Sequence, residues 1–71
     1  MKKVTIRTEY ITLGQFLKLA DVIDTGGQAK AFLQETAITV NGEPENRRGK
    51  KLVSGDQIRI EGHGSFEIGH V

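Results

Sequence analysis

The chain has 71 residues and a formal net charge of +1, from 10 Lys and Arg against 9 Asp and Glu. With 37% hydrophobic and 27% charged residues it has the balance of a globular chain; its length allows one domain, residues 1–71, with a small core, and excludes a two-lobed catalytic cleft. It contains no cysteine, which excludes disulfides, thiolate chemistry and the usual zinc-finger patterns, and no apolar run approaches a membrane span or a signal-peptide core, so the expected setting is the cytoplasm.

The first element in chain order is a short strand. In KVTIR, residues 3–7, Val4 and Ile6 alternate with polar neighbours. Thr12 then opens a helix. Gln15 stands three residues on, the spacing of a capping box, and Leu13, Phe16, Leu17 and Ala20 follow the i, i+3, i+4, i+7 pattern of a buried stripe. The pattern carries this helix to about Val22. Thr25 and Gln28 repeat the capping spacing, and Ala29, Phe32 and Leu33 make the stripe of a second helix. A linker of about three residues predicts a compact helical pair.

After Glu35 the period changes to two. Ile38 and Val40 form a strand that ends at Asn41-Gly42, a strong turn signal because both residues tolerate positive φ. EPENRRGKK, residues 43–51, holds the one proline and has no period, so it reads as a loop. Leu52-Val53 begin a return strand, and Ser54-Gly55-Asp56 make a turn. Ile58 and Ile60 lie on a further strand; Gly62 and Gly64 flank His63 in a tight turn before a last strand around Phe66 and Ile68. The expected fold class is α+β: an initial strand, then two short packed helices followed by a small antiparallel sheet with a basic loop.

Two stretches carry recognition chemistry. Arg47, Arg48, Lys50 and Lys51 crowd into one loop while the acids are scattered. Arginine forks match phosphate oxygens two at a time, and Gly49 lets the loop bend along a curved backbone. The plainer alternative is a solvated hairpin tip. Gly26-Gly27 fall at the first turn of the second helix, where amides point outward and the absence of side chains lets an anion approach. Lys30 and Gln34 continue that face, and Lys18 extends the basic surface. The plainer alternative here is an interhelical turn.

Catalysis lacks its parts. His63 and His70 have no third ligand at metal spacing, Ser54 and Ser65 have no activating partner, and the acids are unpaired. The expectation is a non-enzyme with no metal and no cofactor. Phe16 and Phe32 belong to core stripes and Phe66 to a strand, so Tyr10 is the one aromatic expected at the surface, too few for the stacking platform of a single-strand binder.

The ordered set Phe16-Leu17-Lys18, Ala29-Lys30, Val40-Asn41-Gly42, Gly55-Asp56 and Ile58 to Ile60 resembles the S-four RNA-binding domain, the module named after a small-subunit ribosomal protein, over roughly residues 11–62. The whole chain looks like the small stand-alone bacterial members of the YaaA type. The family opens its first helix with Arg-Leu-Asp and its second with Ser-Arg; here Thr12-Leu13-Gly14 and Thr25-Gly26 stand in those places. The arginine that commonly touches RNA is thus absent, and Gly26-Gly27 and the basic loop are expected to compensate.

The resemblance implies a monomeric module for structured RNA, with ribosomal RNA or a ribosomal subunit favoured over transfer RNA, no membrane partner, and a role in ribosome assembly or translation. One rival is a protein-interaction adaptor whose loop meets an acidic partner. The other is a ubiquitin-like sulfur carrier, suggested by VNGE and GDQIRI. Such carriers need a Gly-Gly end, whereas this chain closes Ile68-Gly69-His70-Val71.

Overall fold

The computed structural model describes all 71 residues. The chain runs β1 (Lys2–Ile6), β2 (Ile11–Thr12), α1 (Leu13–Leu19), a 3₁₀ turn (Gly26–Gln28), α2 (Ala29–Glu35), β3 (Ile38–Val40), β4 (Glu43–Pro44), β5 (Lys51–Leu52), β6 (Gln57–Ile60) and β7 (Gly64–His70). Five strands form one sheet in the order β1-β7-β6-β3-β4, and β2 pairs with β5 in a separate two-stranded ribbon.

The α+β reading holds, with four corrections. The sheet is not wholly antiparallel: β1 lies parallel to β7, Lys2 opposite Phe66 and Ile6 opposite His70. Part of residues 43–51 is strand, since Glu43 and Pro44 pair with Val40 and Thr39. Pro44 is tolerated because β4 is an edge strand, where one side of the backbone needs no ladder donor. The return strand is Lys51–Leu52, one residue earlier than expected, and its partner β2 was not foreseen at all.

The fourth correction concerns the helices. α1 stops at Leu19 rather than near Val22. Asp21 takes a left-handed φ of 61°, Asp21 N donates to Lys18 O at 3.0 Å and Val22 N donates to Leu17 O at 3.0 Å. Those two bonds form a Schellman ending, with aspartate where glycine is usual. The connection between the helices therefore spans residues 20–25, twice the expected length. The first turn of the second helix is 3₁₀ rather than α.

The capping box at Thr12 is present in both halves: Gln15 N donates to Thr12 Oγ1 at 3.2 Å, and Thr12 N donates to Gln15 Oε1 at 2.9 Å. Asn41 (φ 53°) and Gly42 (φ 86°) make the two-residue β3–β4 turn as their types predict. Asn41 does more than turn. Its Oδ1 accepts from Gln57 N at 2.9 Å and its Nδ2 donates to Asp56 Oδ1 at 3.0 Å, while Asp56 Oδ2 accepts from Val53 N at 2.9 Å. The Val-Asn-Gly and Gly-Asp motifs are thus two sides of one clamp between neighbouring turns.

The inner faces of the sheet and the helical stripes share one core of 15 buried residues, all apolar. Phe16 and Phe66 meet edge to face with centroids 5.6 Å apart. Leu13, Phe16 and Leu17 fill it from α1, Ala29 and Leu33 from α2, and Ile6, Ile38, Val40, Ile58, Ile60 and Ile68 from the strands. No helix is long and apolar enough to cross a membrane.

Candidate nucleic-acid interface

The basic loop links β4 to β5, and its backbone faces inward. Leu13 N donates to Lys50 O at 2.8 Å and Gly14 N donates to Arg48 O at 2.9 Å. These are the first amides of α1, which have no partner inside the helix, and they carry the positive end of its dipole. The carbonyls of the loop satisfy them. Lys50 N in turn donates to Arg47 O at 3.1 Å, closing a tight turn at the loop tip.

Gly14 sits where three segments meet. A Cβ at that position would lie 3.4 Å from Arg48 O, 3.6 Å from the Arg48 Cβ and 3.6 Å from the Ala29 Cβ. The loop, the start of α1 and the start of α2 are therefore one packed junction. The 3₁₀ turn that carries Gly26 and Gly27 leads directly into Ala29. Its own geometry is held by Gln28, whose Oε1 accepts from Asp24 N at 2.7 Å and Thr25 N at 2.9 Å. Both glycines are exposed, and a Cβ built at Gly26 would meet nothing within 4 Å.

The four loop cations differ in what holds them. Arg47 is the partner in the structure's one ion pair: its Nε and Nη2 donate to Glu45 Oε2 and Oε1 at 2.9 and 3.0 Å, and its backbone N donates to Oε2 at 3.0 Å. The Arg47 fork holds the Glu45 carboxyl at a pKa of about 2, aided by the backbone bond and the charge and opposed by desolvation. Lys51 Nζ lies 4.8 Å from the centroid of the Tyr10 ring, within cation–π range. Arg48 and Lys50 have no ion-pair partner, and Arg48 is exposed.

Lys18 is exposed on α1, one turn along from Gly14. Lys30 is exposed beside Ala29, hence next to the junction, and Gln34 is exposed a turn farther along α2. The structure thus joins Arg48 and the start of α2 through Gly14, and ties Lys50 to α1 through Leu13. Gln34 lies toward the far end of its short helix. The histidines do not converge: His63 stacks edge-on with Phe32 at 5.7 Å, and His70 Nδ1 lies 2.8 Å from Val71 O.

Sequence reasoning missed Glu45, Gly14 and the Tyr10–Lys51 contact. No local period links Glu45 to Arg47. The Tyr10–Lys51 contact depends on the pairing of Thr12 with Lys51 in the β2–β5 ribbon.

The profile of the S4 domain family matches residues 4–68. The chain belongs to the S4 domain family. Among S4 relatives, it is 63% identical over 65 residues, 92% of each chain, to the "Probable ribosome maturation protein RlbA" of Bacillus subtilis (strain 168). It is 33% identical over 54 residues, 76% of this chain and 77% of the relative, to the "Putative RNA-binding protein YbcJ" of Escherichia coli (strain K12). The S4 match begins within β1 and ends within β7, beyond the stretch 11–62 that carries the motif resemblance.

Proposed function

We propose that this S4 protein is a non-enzymatic module that docks on structured RNA in the cytoplasm, with ribosomal RNA or a maturing ribosomal subunit as the ligand. The family and the names of the two relatives support the class of ligand. The observation that carries the reading is the inward-turned loop: its carbonyls are pinned to the start of α1, beside α2, so the segment that bears Arg48, Lys50 and Lys51 has a fixed base.

In this reading Arg48, Lys50 and Lys51 grip phosphates and release their counterions. Lys18 and Lys30 extend the charged track on either side. Gly26 and Gly27 let the RNA backbone pass close to the start of α2, and Gln34 lies at the track's edge. Arg47 contributes less than its neighbours because Glu45 already holds its fork. Recognition of this kind reads the shape and backbone of folded RNA rather than a base sequence.

The test is binding of the purified protein to ribosomal RNA, transfer RNA and duplex DNA across a salt series, beside a variant with Arg47, Arg48, Lys50 and Lys51 all changed to alanine. The wild type is expected to prefer ribosomal RNA. The variant should bind more weakly with a flatter salt dependence, each lost phosphate contact removing roughly 0.7 to 0.9 from the slope. Equal, weak binding of all three nucleic acids by both proteins would instead favour an adaptor whose loop meets an acidic protein.

A further inference from the structure

Tyr10 is the one tyrosine of the chain, and no tryptophan is present. It is 44% exposed, directly before β2. Its backbone is well held: Thr8 Oγ1 donates to Tyr10 O at 2.7 Å, and the next residue, Ile11, is buried and paired with Leu52. The ring is thus anchored at its root without being packed into the core. Lys51 Nζ stands 4.8 Å from its centroid.

A shallow hollow of about 500 Å³ borders the ring, lined also by Thr8, Glu9, Ile11, Thr12 and Gln15. A second hollow adjoins it through Ile11 and Gln15 and reaches Lys18 and Leu19. The polar groups around the ring are of both kinds. Gln15 uses its Oε1 to accept from Thr12 N, which leaves its amide group as a donor. Glu9 supplies a carboxylate acceptor. Lysines lie at two sides, Lys51 against the ring and Lys18 beyond Gln15.

A held aromatic face beside edge-on donors and acceptors, with cations around it, matches one chemical object. A nucleobase presents a π face, donors and acceptors on its edge, and phosphates on both sides of its sugar. Glu9 sets the polarity, because its carboxylate repels a phosphate and accepts from a base amino group. A paired base keeps its faces inside the helical stack, so only a loop, bulge or end can offer one.

We propose that Tyr10 stacks on an unpaired base of the bound RNA, with Lys51 and Lys18 engaging the flanking phosphates. This rests on the RNA-docking reading, since Lys51 belongs to both surfaces, and it adds a single-strand contact to what is otherwise recognition of shape.

Tyr10 is its own reporter, because tyrosine fluorescence from this chain comes from that ring alone. Two RNA probes separate the contacts: a short fully paired duplex, and the same stem closed by an unpaired loop. Titrating the looped RNA is expected to quench the tyrosine emission, while the duplex leaves it largely unchanged. Tyr10→Leu is expected to weaken binding of the looped RNA by about five- to hundredfold, the range of one lost base stack, and to spare duplex binding. Tyr10→Phe keeps the ring and should bind as the wild type does, which separates stacking from any loss of folding.

If both RNAs bind with a loop-dependent salt slope but emission is unmoved and Tyr10→Leu binds normally, the stack is overturned and the docking reading stands. If neither probe binds although ribosomal RNA does, the stack is overturned and the docking reading stands; if ribosomal RNA fails to bind as well, both fall.

Discussion

Glu45 accepts three hydrogen bonds from Arg47, one from its backbone and two from its guanidinium. The Glu45 side chain is only 10% exposed, whereas that of Arg47 is 71% exposed. A carboxylate held this way resists protonation, and its pKa falls from 4.5 to about 2. Because the folded value lies below the unfolded one, the pair contributes stability above about pH 4.5 and loses it as the pH falls toward 2. An NMR titration of the Glu45 carboxyl should find its midpoint near 2, and Arg47→Ala should return it toward 4.5. Glu45→Gln frees the guanidinium, so it is expected to steepen the salt dependence of RNA binding by roughly 0.7 to 0.9. Very little of this was legible in the sequence. The residue types of the loop announced a basic patch, but a carboxylate two positions from an arginine faces it only if the backbone turns there.

The elements show the same division. Residue types marked both helix starts, and the Thr12 cap formed as its spacing implies. They did not mark where α1 stops, because aspartate signals a left-handed helix ending far less strongly than the glycine usual there, although Asp21 takes that conformation and the Schellman bonds form. Gly14 is the place where α1, α2 and the basic loop touch. A Cβ there would meet the Arg48 carbonyl, which accepts from the Gly14 amide, at an ordinary contact distance, so the junction has room for a methyl group and little more. Alanine would stand in ordinary contact with Arg48 O at 3.4 Å and gains helix propensity, so Gly14→Ala is expected to leave stability within about 1 kcal/mol of the wild type. Gly14→Leu carries further atoms into the junction. It is expected to cost about 1–3 kcal/mol and to weaken RNA binding as the loop is displaced, read by thermal unfolding and by the salt series.

At the scale of the whole molecule, the core extends to both ends of the chain. Ile6 on β1 is 3% exposed and Ile68 on β7 is 1% exposed, and the parallel pairing of their strands closes the sheet. Ile6→Ala should therefore cost about 2–4 kcal/mol, a large share of what so small a domain can hold, while the half-exposed Val53→Ala should cost well under 1 kcal/mol. Urea unfolding of the two variants checks the contrast. By itself the sequence determined the local outcomes: the alternation of Ile58 and Ile60, the buried stripes of both helices, the Asn41-Gly42 turn, and the clustering of positive charge between Arg47 and Lys51. Each follows from side-chain periodicity or from a residue's own φ preference, which depend on neighbours a few positions away. Only the tertiary structure decided that β1 lies parallel to β7, that β2 pairs with β5, that Glu45 neutralises Arg47, and that Lys51 meets Tyr10. The strand pairings and the Lys51–Tyr10 contact join segments far apart along the chain and are selected by packing around one shared core, which no local pattern records; the Glu45–Arg47 pair is local, but it depends on a turn that the tethering of the loop to α1 imposes.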